Sequence, residues 1–342
     1  MGITARLDRL QRRHRGVGFS LAVVYKYLDD QGGYLAALIT YYAFVSLFPL
    51  LLLLSTVLSW VLVGHPAVQQ QVMTSALSQF PVIGSQLGEP KHLGGGVTGV
   101  VVGVAGALYG GLGVGQALQN AMNTVWAVPR DQRPDPFTAR ARSLLLLVTV
   151  GGALAATTVL AGITAGSGAF GAVTKACVMA VSVAVNAGAF IMAFRISTDR
   201  DLAVGQVAPG AVTAAVGWQL VQSFGATYVG HVVKSASATN GVFALVLGML
   251  AFLYATATMV VLCAEINVVR VDRLHPRALL TPFVDDVNLT AADRQIYTDQ
   301  ATAQRSKPFQ HVEVTFDAPT RDSDRGGHPD PETGDALDAS AR

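Results

Sequence analysis

Residues 32–64 read GGYLAALITYYAFVSLFPLLLLLSTVLSWVLVG, thirty-three positions without one charged side chain. A bilayer core is about 30 Å thick, and roughly 20 apolar residues cross it as a helix. A soluble core helix has no use for such a length, so the stretch reads as a membrane span. The first helix, over about residues 36–63, is longer than the bilayer core and must tilt or bend. Pro49 supplies the bend: it removes one helical hydrogen bond and its ring collides with the carbonyl of Val45. Ser46 is placed to satisfy a freed backbone group.

Working outward, five more apolar runs follow, at about residues 93–118, 143–165, 176–194, 203–229 and 241–269. The fold class expected is all-α, a polytopic membrane protein of six transmembrane helices with a kinked first helix. Composition agrees: 51% of the 342 residues are hydrophobic and only 13% charged, against about 25% charged in soluble domains. The first run is too long and too far from residue 1 for a removable signal peptide. Cys177 and Cys263 both sit in apolar runs, so no disulfide framework is expected.

Charge orients the spans. Lys and Arg collect in the N-terminal arm, the loops near residues 130–142 and 195–200, and the segment that starts with Arg270, twenty-one in all; the other three loops hold Lys91, Lys175 and Lys234 alone. Cytoplasmic loops are the basic ones, so both termini are expected in the cytoplasm. Three regions result: a basic arm with an interfacial helix over 1–30, the six-helix domain over 31–275, and an acidic tail over 276–342. The tail is rich in Asp, Pro, Gly and Ser toward its end and is expected to be mostly disordered. Phe19, Val23, Val24, Tyr27 and Leu28 recur at helical spacing before the first span, as do Val68, Val72, Ala76 and Phe80 after it. Both segments read as amphipathic helices, lying either on lipid or on the bundle.

Signatures of catalysis are missing. No pair among the seven histidines has metal-ligand spacing, and there is no nucleophile elbow, phosphate loop or His-Glu-x-x-His. No metal, no cofactor and no catalytic residue is expected. No carboxylate lies in the middle of a span, which argues against a pump or a proton-driven antiporter. No aromatic platform accompanies the arginines, so no nucleic-acid partner is expected; anionic lipid explains the basic arm.

The spans carry neutral polar groups instead. Tyr41, Tyr42, Ser46, Asn123, Asn186 and Gln219 are the candidates to line a polar cavity, or else to hydrogen-bond neighbouring helices. Gly95, Gly99 and Gly103 follow at four-residue steps, and Gly106–Gly110 and Gly111–Gly115 repeat the spacing, so the second span should pack closely on its neighbours. Glu265, at the end of the last span, needs a cation; Arg195 is the candidate partner, with Arg142 as another. That ion pair reads either as a staple of the bundle or as part of a coupling site.

Four groups of residues together resemble the YihY/BrkB family of bacterial inner-membrane envelope proteins. Thr40-Tyr41-Tyr42 with Ser46-Leu47-Phe48-Pro49-Leu50 is similar to the family's A-x-x-Y-Y…S-L-F-P-L signature. Ala121-Met122-Asn123-Thr124-Val125-Trp126 resembles its A-L-N-R-I-W, with Thr124 where the family has Arg. Pro209-Gly210, Trp218, Phe224 and Tyr228 match its fifth helix, and Ala264-Glu265-Ile266-Asn267 its closing A-E-L-N. The resemblance implies six inner-membrane helices with cytoplasmic termini, and transport or flipping of a lipid or other amphiphile, as proposed for relatives. It also carries an old tRNA ribonuclease label, which these residues do not support. A non-transporting assembly factor of the cell envelope is the alternative. Expected partners are membrane lipids, an amphiphilic substrate, and a second copy or an envelope protein.

Overall fold

The structure, a computed structural model, describes residues 15–61, 96–165, 172–235, 238–279 and 288–316. Among them every regular element is helical. In chain order these are α1 (Arg15–Asp29), α2 (Gly32–Val61), α3 (Gly96–Val125), α4 (Pro136–Ala165), α5 (Ala172–Ser197), α6 (Val204–Ser235), α7 (Ala238–Val271) and α8 (Ala291–Ala303). The six long helices α2–α7 fall where the apolar runs predict them. Four described stretches are long and apolar enough to cross a membrane: Val100–Val125, Pro136–Thr158, Ala176–Ser197 and Val246–Val271. The described part of α2 adds a shorter apolar helix, Gly32–Leu47. α6 is not among them; Gln206, Pro209, Gln219 and Gln222 dilute it.

Each long helix packs mainly on the next in sequence, and α2 against α7 closes the series into a ring. The α2–α3 pair is the tightest, because glycines let the backbones meet. A Cβ on Gly106 would lie 2.6 Å from the Pro49 ring, and one on Gly110 only 2.5 Å from Ser46 Cα. α2 continues as helix through Pro49. Gly111 and Gly115 face α4, where a Cβ on Gly115 would stand 2.8 Å from Ser143 Cα. Gln119 ties the same pair, its Nε2 donating to Ser143 Oγ at 2.9 Å. Gly103 is buried in α3, whereas Gly95 lies outside the described residues.

The turns that set this geometry are short. Gln31, at φ 55°, reverses the chain between α1 and α2, and Gly32 leaves room for the Tyr27 ring, whose Cγ would sit 2.8 Å from a Cβ there. Ala127, at φ 49°, ends α3. Asp135 then caps α4, accepting from the backbone N–H of Phe137 and Thr138.

Two expectations change. α1 is not simply an interfacial helix: Ala22, Val23, Tyr25 and Lys26 are buried against the bundle, while Val17, Val24 and Leu28 remain exposed. The second amphipathic segment, Val68 to Phe80, lies outside the described residues. The tail is also not disordered over 288–316. Thr290 and Asp293 form a capping box that starts α8, and Ile296 enters the core beside Val125, Trp126, Val268 and Leu274. Composition misleads here because one buried Ile and a few paired charges suffice to dock a short helix on an existing core.

Candidate functional site: a buried ionic centre at one end of the ring

α1, the turn after α3, the ends of α5 and α7, and α8 converge at one end of the ring. Lys26 stands at the middle of this end. On helical spacing it ion-pairs with Asp30, its Nζ also donates to the Val125 carbonyl at 3.1 Å, and it lies 3.8 Å from Glu265 Oε2. Exposures of the Lys26, Asp30 and Glu265 side chains are 3%, 1% and 0%. Burial works against the Lys26 charge, but Glu265 and then Asp30 outweigh it, and its pKa ends above the ordinary lysine value. Neither oxygen of Glu265 has a hydrogen-bond partner among the described residues.

Arg277 organises a second layer. Its Nε donates to Asp293 Oδ1 at 2.7 Å, its guanidinium also pairs with Asp29, and it lies over the Tyr25 ring at 5.7 Å. Burial raises the Asp29 pKa, with Arg277 opposing that rise. Gln300 donates to Asp30 Oδ1 at 2.8 Å, so α8 reaches the Lys26 centre directly.

The third layer fixes the loops. Asn123 Nδ2 donates to Asp199 Oδ2 at 2.9 Å, and its Oδ1 accepts from the Asp199 backbone N–H at 2.8 Å. Arg142 pairs with the same carboxylate. Arg200 binds Asp272 through both terminal nitrogens at 3.1 Å and stacks over Trp126 at 5.1 Å. Arg305 pairs with Asp131 at 3.1 Å. Between these layers lies a cavity of about 360 Å³, whose lining includes Lys26, Trp126, Asp272, Gln295, Asp299 and Gln300. Burial, and then the nearby Asp272, raises the Asp299 pKa.

The residues singled out from sequence are distributed differently. Arg195 is not the partner of Glu265: its Nε donates to the Leu202 carbonyl at 2.9 Å, and Lys26 takes the place expected for it. Asn123 is held by Asp199 rather than left to face a cavity. Tyr42 and Ser46 lie on the α2 face packed against Gly113 and Gly110 of α3. Tyr41 is 56% exposed and meets Tyr42 edge-on. Asn186 is buried within α5, and Gln219 is half-buried in α6. Residues quoted from separate motifs do meet elsewhere: the Gly210 backbone N–H donates to Asn267 Oδ1 at 2.7 Å. A Cβ on Gly210 would collide with the Cys263 carbonyl, so only glycine fits that crossing of α6 and α7. Lys26, Asp199, Arg277 and α8 were not anticipated as site elements. The i,i+4 spacing of Lys26 and Asp30 and the Thr-x-x-Asp of Thr290 and Asp293 were the available signals.

A polytopic helical membrane protein with a charged, packed end is thus defined. The family described as Virulence factor BrkB matches residues 23–282, and the chain belongs to it. Comparison with curated proteins finds no match, and comparison with solved structures finds none.

Proposed function

We propose that this protein is a six-span inner-membrane protein with cytoplasmic termini that moves a lipid or other amphiphile across the bilayer. One observation carries the reading: six long helices follow one another into a ring closed by α2 against α7, and no charge lies in the middle of any of them. Uncharged walls suit an acyl chain, and neutral groups such as Asn186 and Gln219 suit contact with a head group. The ionic centre then lies at the cytoplasmic mouth. The protein reconstituted in vesicles should speed the exchange of a fluorescent phospholipid between leaflets, read by chemical bleaching of the outer leaflet. A rate equal to that of empty vesicles would sink this reading.

The second reading is a non-transporting assembly factor of the envelope. The locking of Asn123 to Asp199 favours it, because that side chain staples a packed end instead of facing a passenger. Co-purification of stoichiometric envelope proteins, together with no lipid exchange, is the outcome it requires.

A further inference from the structure

Glu265 presents an uncommon combination. Its side chain has no exposure, and neither carboxyl oxygen has a hydrogen-bond partner among the described residues. Lys26 is the one cation paired with it among the described residues, at 3.8 Å, and Lys26 is already engaged by Asp30 and by the Val125 carbonyl. Two carboxylates therefore face one ammonium, all three side chains almost without solvent exposure. An uncompensated charge buried this way is costly, and a buried group sheds that cost by neutralising.

Among the described residues the other nearby cations are engaged elsewhere: Arg200, which lines the same cavity as Lys26, binds Asp272. α2 and α3 contain no charged residue, and α6 has only His231 and Lys234, near its far end. α1 brings Lys26, Asp29, Asp30 and the Tyr27 hydroxyl. Arg277 is taken up by Asp29 and Asp293. α8 adds the carboxyl of Asp299 and the amide of Gln300, which is bound to Asp30.

We propose that Lys26, Asp30 and Glu265 form a proton-binding site in which the Glu265 carboxyl holds one exchangeable proton. Lys26 lines the cavity of about 360 Å³, which gives water a route to the centre. Loading breaks one O–H bond of a hydronium in the cavity and forms one on Glu265; unloading reverses this and returns the proton to water. The Lys26 ammonium then pairs with Asp30 alone while Glu265 is neutral, and is shared between both carboxylates once Glu265 is ionised. A neutral Glu265, which can donate its proton to the neighbouring Asp30 carboxylate, explains why its nearest cation stands at 3.8 Å while Asp30 takes the direct ion pair. The site stands whatever the protein moves, so its failure would leave lipid exchange untouched.

Glu265→Gln keeps the shape of the neutral acid and gives the test. If the folded form holds one proton more than the unfolded form, wild-type stability falls as pH rises above about 4.3, the ordinary Glu value, by up to about tenfold in the unfolding constant per pH unit, until Glu265 ionises in the folded form. Glu265→Gln should match the wild type at the acid end and remove that fall. Wild-type protein at neutral pH should also show the infrared carbonyl band of a protonated carboxyl, absent in Glu265→Gln. Asp30→Asn gives an independent arm if Glu265→Gln does not fold: with one carboxylate left for Lys26, Glu265 ionises and the band disappears. The proposal is overturned if wild type lacks the band, if Asp30→Asn keeps it, or if Glu265→Gln loses stability equally at every pH. Stabilisation by sodium that Glu265→Gln abolishes would overturn it too, by making the ligand a metal cation.

Discussion

Arg277 and Asp293 are sixteen positions apart, and their 2.7 Å hydrogen bond joins two side chains that have no solvent exposure. The bond fastens the strand of chain after α7 to the first turn of α8. Asp293 is at the same time the acidic partner of the Thr290 capping box, and its Oδ2 accepts from the Ala278 backbone N–H at 2.9 Å. One carboxylate thus starts the helix and docks it.

Arg277→Ala should therefore release α8. It leaves Asp29 and Asp293 buried without their cation, and breaking such a pair from one side costs about 3–5 kcal/mol. Hydrogen exchange should rise across Ala291–Ala303 while α3 and α7 stay protected. Unchanged protection in α8 would mean that Ile296 and the remaining polar anchors, Gln300 on Asp30 and Arg305 on Asp131, hold it without Arg277. Arg277→Lys should rescue only in part, because one ammonium cannot bridge two carboxylates as a guanidinium fork does.

The α2–α3 crossing predicts a contrast between glycines. Gly110→Ala would press a methyl onto the backbone of Ser46, at 2.5 Å from its Cα. Gly188→Ala in α5 meets nothing within 4 Å. Gly110→Ala should lower thermal stability in detergent, and Gly188→Ala should leave it equal or raise it by up to about 1 kcal/mol through helix propensity. Equal stability of the two variants would place the Gly110 face outside the tight crossing.

The helices were legible because an uncharged apolar run has few alternatives in a bilayer, and α2–α7 stand where residues 32–64 and the later runs put them. The glycine steps of α3 likewise announce close packing, and Gly106, Gly110 and Gly115 meet neighbouring helices. The ionic centre was not legible. Lys26 counts in sequence as one more basic residue before a span, and nothing local says that α1 turns its Lys26 face inward against Glu265. Arg195 was the natural guess from its position at a helix end, but a backbone carbonyl seven positions on, that of Leu202, satisfies it. α8 was hidden by tail composition, because docking depends on Arg277 and Ile296 finding partners far away in sequence.

Orientation is open to a direct check. Reporters fused after Asp30, Asp135, Asp199 or Pro276 should read as cytoplasmic, and those after Gln79, Ser167 or Ser237 as external, because basic residues cluster in the first set of loops. An external signal after Asp135 would break the six-span reading. That loop also carries the ion pair of Asp131 with Arg305, so it must share a side with α8.

The last expectation concerns Asn123, whose amide makes two hydrogen bonds with Asp199 and so holds the turn between α5 and α6. Asn123→Ala removes both bonds and leaves the Asp199 backbone N–H without that partner, a loss of about 1–3 kcal/mol. Arg142 still pairs with the carboxylate, so the variant should fold. Adding Arg142→Ala removes the remaining contact, and the double variant should lose more than either single one. Because all three residues share one carboxylate, the two losses should not be additive. If Asn123 instead faced a passenger, Asn123→Ala would leave stability intact and slow lipid exchange. A thermal melt beside the vesicle assay separates the two: lowered melting with normal exchange in the surviving folded protein marks a staple, and normal melting with lost exchange marks a contact with the passenger.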